Sequence, residues 1–161
     1  MPNSKDFSSK DSSIKKIFEI VKNNEIKFID FRFTDYTGKW LHISYSAEEV
    51  SEEELTKGVA FDGSSVAGWK AIHESDMLMM PDLETAFIDP FLVAPTLVIT
   101  CNVIEPTNNL PYEKDPRNTA LKAELYLKES GIGDVAYFGP EPEFFVFDDV
   151  RFNLKSHGNF Y

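Results

Sequence analysis

The sequence predicts an α+β fold in which a helix precedes a small mixed β-sheet and a second domain begins after the sheet. Apolar residues recur at helical spacing near the amino terminus, and β-rich runs follow between residues 26 and 104. After residue 108 a proline-containing connector leads into another helical pattern. With 161 residues, of which 42% are hydrophobic and 14% aromatic, the chain is long enough to bury a core.

The first element is predicted to be an amphipathic helix that follows a polar leader. Residues 1–13 are polar, and we expect them to be disordered. Ser12 or Ser13 can cap a helix that ends near Asn24. Its buried face would be formed by the residues at helical spacing, Ile14, Ile17, Phe18 and Val21.

The middle of the chain is predicted to form the sheet. The run IKFIDFRF alternates around Asp30 and Arg32, and the turn DYTG precedes a second β-rich run, WLHISY, which together indicate a β-hairpin. Residues 46–57 predict a short exposed helix, because Ser46 is followed three residues later by Glu49. Two further apolar runs, 77–80 and 92–104, can add strands to the same sheet.

A change of character near residue 108 predicts a second domain that starts near residue 113. The connector NNLPYEKDPRN leads to a helix, TALKAELYLKES, which should stop at Gly131. A strand is expected to begin near Val135.

The overall charge excludes some classes of partner. The formal net charge is -11 and the isoelectric point is near 4.7, so the field of the chain repels nucleic acid and anionic membranes. No apolar run approaches the length of a membrane span, and no apolar segment follows the first charges, so we expect a cytoplasmic protein. Cys101, the single cysteine, lies in an apolar run and is expected in the core.

Two carboxylates two residues apart form the first candidate site. Glu141 and Glu143 lie in the segment FGPEPEFFVF, and on a strand they would project to one face about 6.6 Å apart. Carboxylates so placed repel one another unless a cation lies between them, and Mg²⁺ and Mn²⁺ prefer such oxygen ligands. The same spacing also fits an exposed strand end at which both side chains meet only water.

The loop VAFDGSSVAGWK forms the second candidate site. Asp62 could attract a cation or accept a proton, Ser65 could orient a polar substrate, and Trp69 could supply an amphipathic wall. An ordinary turn explains the same residues, because Gly63 permits positive φ and an aspartate can bond its own backbone.

Taken in order, four segments resemble glutamine synthetase of the bacterial type: FIDFRFTDYTGK, GVAFDGSSVAGWKAIHESDMLMMPD, CNVIEP and FGPEPEFFVFDDVRF. The resemblance implies a β-grasp domain over residues 14–110 and, over residues 113–161, the start of a catalytic domain. It also implies active sites that form between neighbouring subunits of a homo-oligomer of stacked rings.

The resemblance also implies a chemistry. The family activates L-glutamate with ATP as γ-glutamyl phosphate, which ammonia attacks, and Mg²⁺ or Mn²⁺ offsets the charge. Glu141 resembles a ligand of the metal on the nucleotide side, and Glu143 a ligand of the metal on the glutamate side. Asp62 resembles the aspartate that a neighbouring subunit contributes to the ammonium site, and Ser65 resembles its partner on the loop.

The chain differs from the family's pattern in stopping at Tyr161. The resemblance therefore implies a truncated catalytic domain with incomplete metal sites, no nucleotide pocket and no activity of its own, and an exposed apolar patch around Phe144, Phe145 and Phe147. Two alternatives stay open: an assembly or regulatory module that associates with intact subunits, and a related ligase that joins glutamate to another amine.

Overall fold

A computed structural model describes residues 4–161, with side chains described for residues 11–71 and 73–161. Helix α1 spans Ser4–Asn23, so it begins before the expected caps, and the part of the expected leader from Ser4 on is helical. Ile14 and Ile17 are buried in the core. Packing of Ile14 and Ile17 fixes the turns that carry them. Each further residue toward Ser4 then adds one backbone hydrogen bond at a low cost in conformational entropy, which explains the longer helix. Residues 1–3 of the leader lie outside the described residues.

Within residues 4–161 the main sheet has six strands and mixed directions. The hairpin is confirmed: β1 (Phe28–Thr34) pairs antiparallel with β2 (Trp40–Ser46). The other strands are β3 (Val59–Asp62), β4 (Asp76–Pro81), β5 (Phe87–Ile88) and β6 (Thr96–Ile104). The order is β2-β1-β6-β4-β3, β5 pairs with β6, and the β1–β6 pair is parallel.

The short helix α2 spans Glu52–Lys57 and begins later than expected. Its cap is Ser51 rather than Ser46, because a second serine-to-glutamate pattern, Ser51 and Glu54, forms the capping box. The Ser51 backbone N–H donates to the Glu54 carboxylate at 2.8 Å, and the Glu53 N–H donates to Ser51 Oγ at 3.1 Å. The first serine instead ends β2 and leads into a turn.

Helix α3 spans Pro116–Ser130 and is capped by Asp115. It stops at Gly131, which has φ of 67° in the left-handed region, as expected. The strand expected from Val135 is wrong, because within the described residues no strand is assigned between α3 and β7. A strand needs a ladder partner, and the remaining strands, β7 (Asn153–Lys155) and β8 (Gly158–Phe160), pair only with each other.

One face of the sheet supplies the core. Alternate residues of β1 (Ile29, Phe31 and Phe33) pack with Met77 and Met79 of β4, and the helices add Ile14, Ile17 and Leu55. Cys101 is buried there, and burial raises the pKa of its thiol to about 12, which confirms a core residue. No helix in the described part of the chain has an apolar stretch long enough to cross a bilayer.

Candidate functional site

The carboxylate of Asp62 lies at the end of β3 and caps the single turn Gly63–Ser65. Its Oδ1 accepts hydrogen bonds from the Ser64 backbone N–H at 2.8 Å and from Ser64 Oγ at 2.6 Å. The Ser64 hydroxyl and backbone N–H lower the pKa of Asp62 below its usual value, with smaller contributions from the hydroxyls of Ser75 and Ser65. The side chain is exposed. Asp62 is therefore an anion that a cation in solution can reach.

Gly63 is required by a close approach to β4 rather than by the positive φ that the sequence suggested, which it does not adopt. Its backbone N–H donates to the Ser75 carbonyl at 2.6 Å, which ties the loop to the start of β4. A Cβ added here would lie 2.6 Å from Met77 Cγ and 3.1 Å from the Ser75 oxygen. Only glycine lets the loop approach β4 so closely.

Ser65 lies on the same turn and is also exposed. Both predicted catalytic residues border one open cleft of about 460 Å³, whose other walls come from the hairpin and β3. Phe33, Trp40 and Phe61 are among the aromatic residues of these walls. The structure thus brings Asp62 and Ser65 together at a cleft that aromatic side chains also line.

Trp69 does not form the amphipathic wall that the sequence suggested. Its ring is 4% exposed and packs in the core, with centroids 5.5 Å from Phe33 and 5.0 Å from Tyr112. Burial of a large aromatic ring outweighs access to water for its indole N–H, which has no hydrogen-bond partner among the described residues. The exposed tryptophan of the cleft is Trp40, which the sequence predicted only as a strand residue.

Glu141 and Glu143 lie in the segment that forms no strand, and both are exposed. The expected geometry of two carboxylates on one strand face is therefore not present, and neither residue lines the cleft beside Asp62. Their oxygen donors suit Mg²⁺ or Mn²⁺. Within the described residues, however, no group of three His, Cys, Asp or Glu side chains could hold a metal ion, so the donor set is incomplete.

An ionic network around the buried Asp30 lies on the face of the hairpin opposite the core, and the sequence analysis did not predict it. Asp30 is 2% exposed and accepts hydrogen bonds from Arg32 Nε at 2.7 Å and Ser44 Oγ at 2.6 Å, and it contacts His42 Nδ1 at 2.6 Å. Arg32 also donates to Asp89 at 2.8 Å. The available signal was the pair of charged residues at alternate positions of an apolar strand, which lie opposite Ser44 and His42 in the antiparallel register.

Residues 25–106 match the family model described as glutamine synthetase, beta-Grasp domain, and residues 113–161 match the model described as glutamine synthetase, catalytic domain. The first of these confirms the expected α+β, β-grasp architecture of the amino-terminal sheet.

Curated relatives are similar over most of this chain. A glutamine synthetase from Azorhizobium caulinodans is 54% identical over 143 residues, which are 89% of this chain and 30% of the relative. A protein from Cupriavidus pinatubonensis named 3-hydroxylaminophenol mutase is 53% identical over 148 residues, which are 92% of this chain and 31% of the relative. The chain thus spans about 30% of the length of the relatives it matches.

A solved structure shows the same fold. The glutamine synthetase of Plasmodium falciparum superposes with a TM-score of 0.65 at 23% identity, over 73% of this chain and 23% of that one.

Proposed function

Because the chain belongs to the glutamine synthetase family, we propose that it supplies part of the active site of a glutamate-ammonia ligase. In this reaction ATP phosphorylates L-glutamate to γ-glutamyl phosphate, and ammonia displaces phosphate to give glutamine. The observation that carries the proposal is the exposed carboxylate of Asp62, which caps a single turn at an aromatic cleft and has a lowered pKa.

Asp62 would act on the ammonium ion. An ionised carboxylate attracts the cation, and a carboxylate within hydrogen-bond distance of ammonium can take its proton and release the nucleophile. The two hydrogen bonds from Ser64 both reach Oδ1, and the residue is exposed to solvent. Ser65, exposed on the same turn, would hold the loop or a substrate group in place.

Glu141 and Glu143 would contribute ligands for Mg²⁺ or Mn²⁺, the cations that suit their oxygen atoms. Such metal ions, when bound, would offset negative charge on the transferring phosphoryl group. The described residues hold no complete donor set, and under this proposal the other ligands would come from outside them. We assign no ATP pocket to this chain, which matches about 30% of its relatives' length.

We also propose that the chain works in a homo-oligomer and in the cytoplasm. Asp62 would serve the site of a neighbouring subunit in a homo-oligomer of stacked rings. ATP, glutamate and ammonium are metabolites of the cytoplasm, which is the compartment that we propose.

The proposal is tested with a chimera in which this chain replaces the segment that it matches in the Azorhizobium caulinodans glutamine synthetase. We expect glutamine to form in a reaction that depends on ATP, glutamate, ammonium and magnesium. A chimera that assembles like the parent but forms no glutamine, while the parent is active, would contradict the proposal.

The similarity to 3-hydroxylaminophenol mutase makes that activity the second candidate function. The same chimera is therefore also assayed for conversion of 3-hydroxylaminophenol, and for use of ethylamine in place of ammonium. Preference for ammonium over ethylamine and no conversion of the phenol are the results that the Asp62 assignment predicts.

A further inference from the structure

The loop that carries Asp62 is held at its far end by residues outside the loop. Asp62 and Ser65 lie on its first turn, and Gly68, Trp69 and Lys70 form its second half. This second half contacts the connector between β6 and α3, which covers residues 105–115.

Tyr112 is the buried part of this contact. Its side chain is among the core residues, with the residue 4% exposed, and its Oη donates to the Trp69 carbonyl at 2.9 Å. Its backbone N–H donates to the Val103 carbonyl at 2.8 Å, and its own carbonyl accepts from Asn118 Nδ2 at 3.0 Å. Tyr112 therefore joins the loop to the central strand β6 and to the first turn of α3.

Lys114 is the exposed part. Its Nζ donates to the Gly68 carbonyl at 2.6 Å and lies 3.4 Å from the Trp69 carbonyl. An exposed ammonium group is well solvated in water, so this side chain adds little to the core while it bonds two consecutive carbonyls of the loop.

A third contact completes the attachment. Lys70 forms an ion pair with Glu105 of the connector at 2.5 Å and lies 5.4 Å from the centroid of the Tyr112 ring.

The far end of the loop is linked to Asp62 by consecutive turns. The Trp69 N–H donates to the Val66 carbonyl at 3.1 Å, and the Val66 N–H donates to the Gly63 carbonyl at 3.2 Å. A displacement of Gly68 and Trp69 would therefore move the turn that Asp62 caps.

We propose that Tyr112 and Lys114 are positioning residues that fix the Asp62 loop and thereby set the affinity of the site for ammonium. The inference rests on the proposed function, because Asp62 is the group whose position matters. The connector thus has a role in substrate binding besides that of joining the sheet to α3.

Amide hydrogen exchange of the chain itself tests whether the two residues hold the loop. Tyr112→Phe removes one hydrogen bond and keeps the ring, and Lys114→Met removes the ammonium group. Each is expected to raise the exchange rates of the Val66 and Trp69 amides about fivefold, the effect of one ordinary hydrogen bond. The matched controls are Tyr126→Phe and Lys122→Met on the exposed face of α3, which should leave these rates unchanged.

The chimera tests whether the held loop matters for the substrate. Tyr112→Phe and Lys114→Met should each raise the KM for ammonium about fivefold and leave the KM for ATP unchanged. Lys114→Arg should keep the wild-type KM for ammonium, because a guanidinium can still donate to the Gly68 carbonyl.

Wild-type exchange at Val66 and Trp69 in both variants would overturn the inference, as would faster exchange with an unchanged ammonium KM. If the unsubstituted chimera forms no glutamine, the proposed function fails and the substrate role fails with it, whereas the exchange rates still decide whether the connector holds the loop.

Discussion

Asp30 is a carboxylate in a buried position. Although burial raises the pKa of a carboxyl group, the hydrogen bonds from Ser44, Arg32 and His42 outweigh burial and lower the pKa of Asp30. The folded chain thus stabilises the ionised form, and the network joins β1, β2 and the residue after β5.

We expect Asp30→Asn to lower the free energy of unfolding by about 2 kcal/mol at neutral pH, because charge-assisted hydrogen bonds are lost in a buried setting. Urea unfolding followed by tryptophan fluorescence measures the change. Asp148→Asn, at an exposed carboxylate in the same chain, is the matched control and should have no measurable effect.

The same pair of proteins gives a prediction about pH. Since the folded-state pKa of Asp30 lies below the usual value of 3.8, its contribution to stability is complete above that value and is lost as the pH falls through the folded pKa. The difference between wild type and Asp30→Asn should therefore shrink as the pH falls below about 4. A difference that stays constant down to pH 2 would contradict the assignment of the lowered pKa.

Among the elements, the hairpin and the carboxyl-terminal ends of α1 and α3 could be predicted, because their signals are local. Alternation fixed β1 and β2, and Gly131 is the ordinary C-cap of α3. Two serine-to-glutamate patterns compete at α2, and local sequence does not decide between them. The strand expected at Val135 could not be judged from sequence at all, because it needs a partner that the described residues do not supply.

The choice of cap at α2 is testable. Ser51→Ala should lower the free energy of unfolding by about 1 kcal/mol, since it removes the hydroxyl that accepts from the Glu53 N–H and donates to the Glu54 carboxylate. Ser46→Ala changes the same residue type in the same four-residue pattern and should cost less than about 0.5 kcal/mol, the range of ordinary surface substitutions. The reverse order of the two effects in urea unfolding would show that Ser46 is the functional cap.

At the scale of the whole molecule, exposed aromatic residues are concentrated after α3. Phe144, Phe145 and Phe147 are exposed by 84%, 86% and 68%, in agreement with the expected apolar patch. The family resemblance implied this patch, whereas the cleft at Asp62 depends on how the hairpin meets β3, which no local pattern specifies.

Replacement of these three phenylalanines by serine should lower the binding of the fluorescent dye ANS by more than half, because the dye binds exposed apolar surface. Phe91→Ser, at a residue that is 92% exposed elsewhere on the chain, is the control and should change the signal little. Equal dye binding by the triple variant and the wild type would show that this surface is covered in solution.

The proposed role of Asp62 as the ammonium carboxylate is tested most directly by the kcat/KM for ammonium in the chimera. Asp62→Asn keeps the shape of the side chain and removes its charge, so kcat/KM for ammonium should fall by about a hundredfold or more, with the KM for ATP unchanged. Asp76→Asn, at the exposed aspartate opposite Asp62 on β4, should stay within about twofold of wild type. Wild-type kcat/KM for ammonium in a folded, assembled Asp62→Asn chimera would contradict the account.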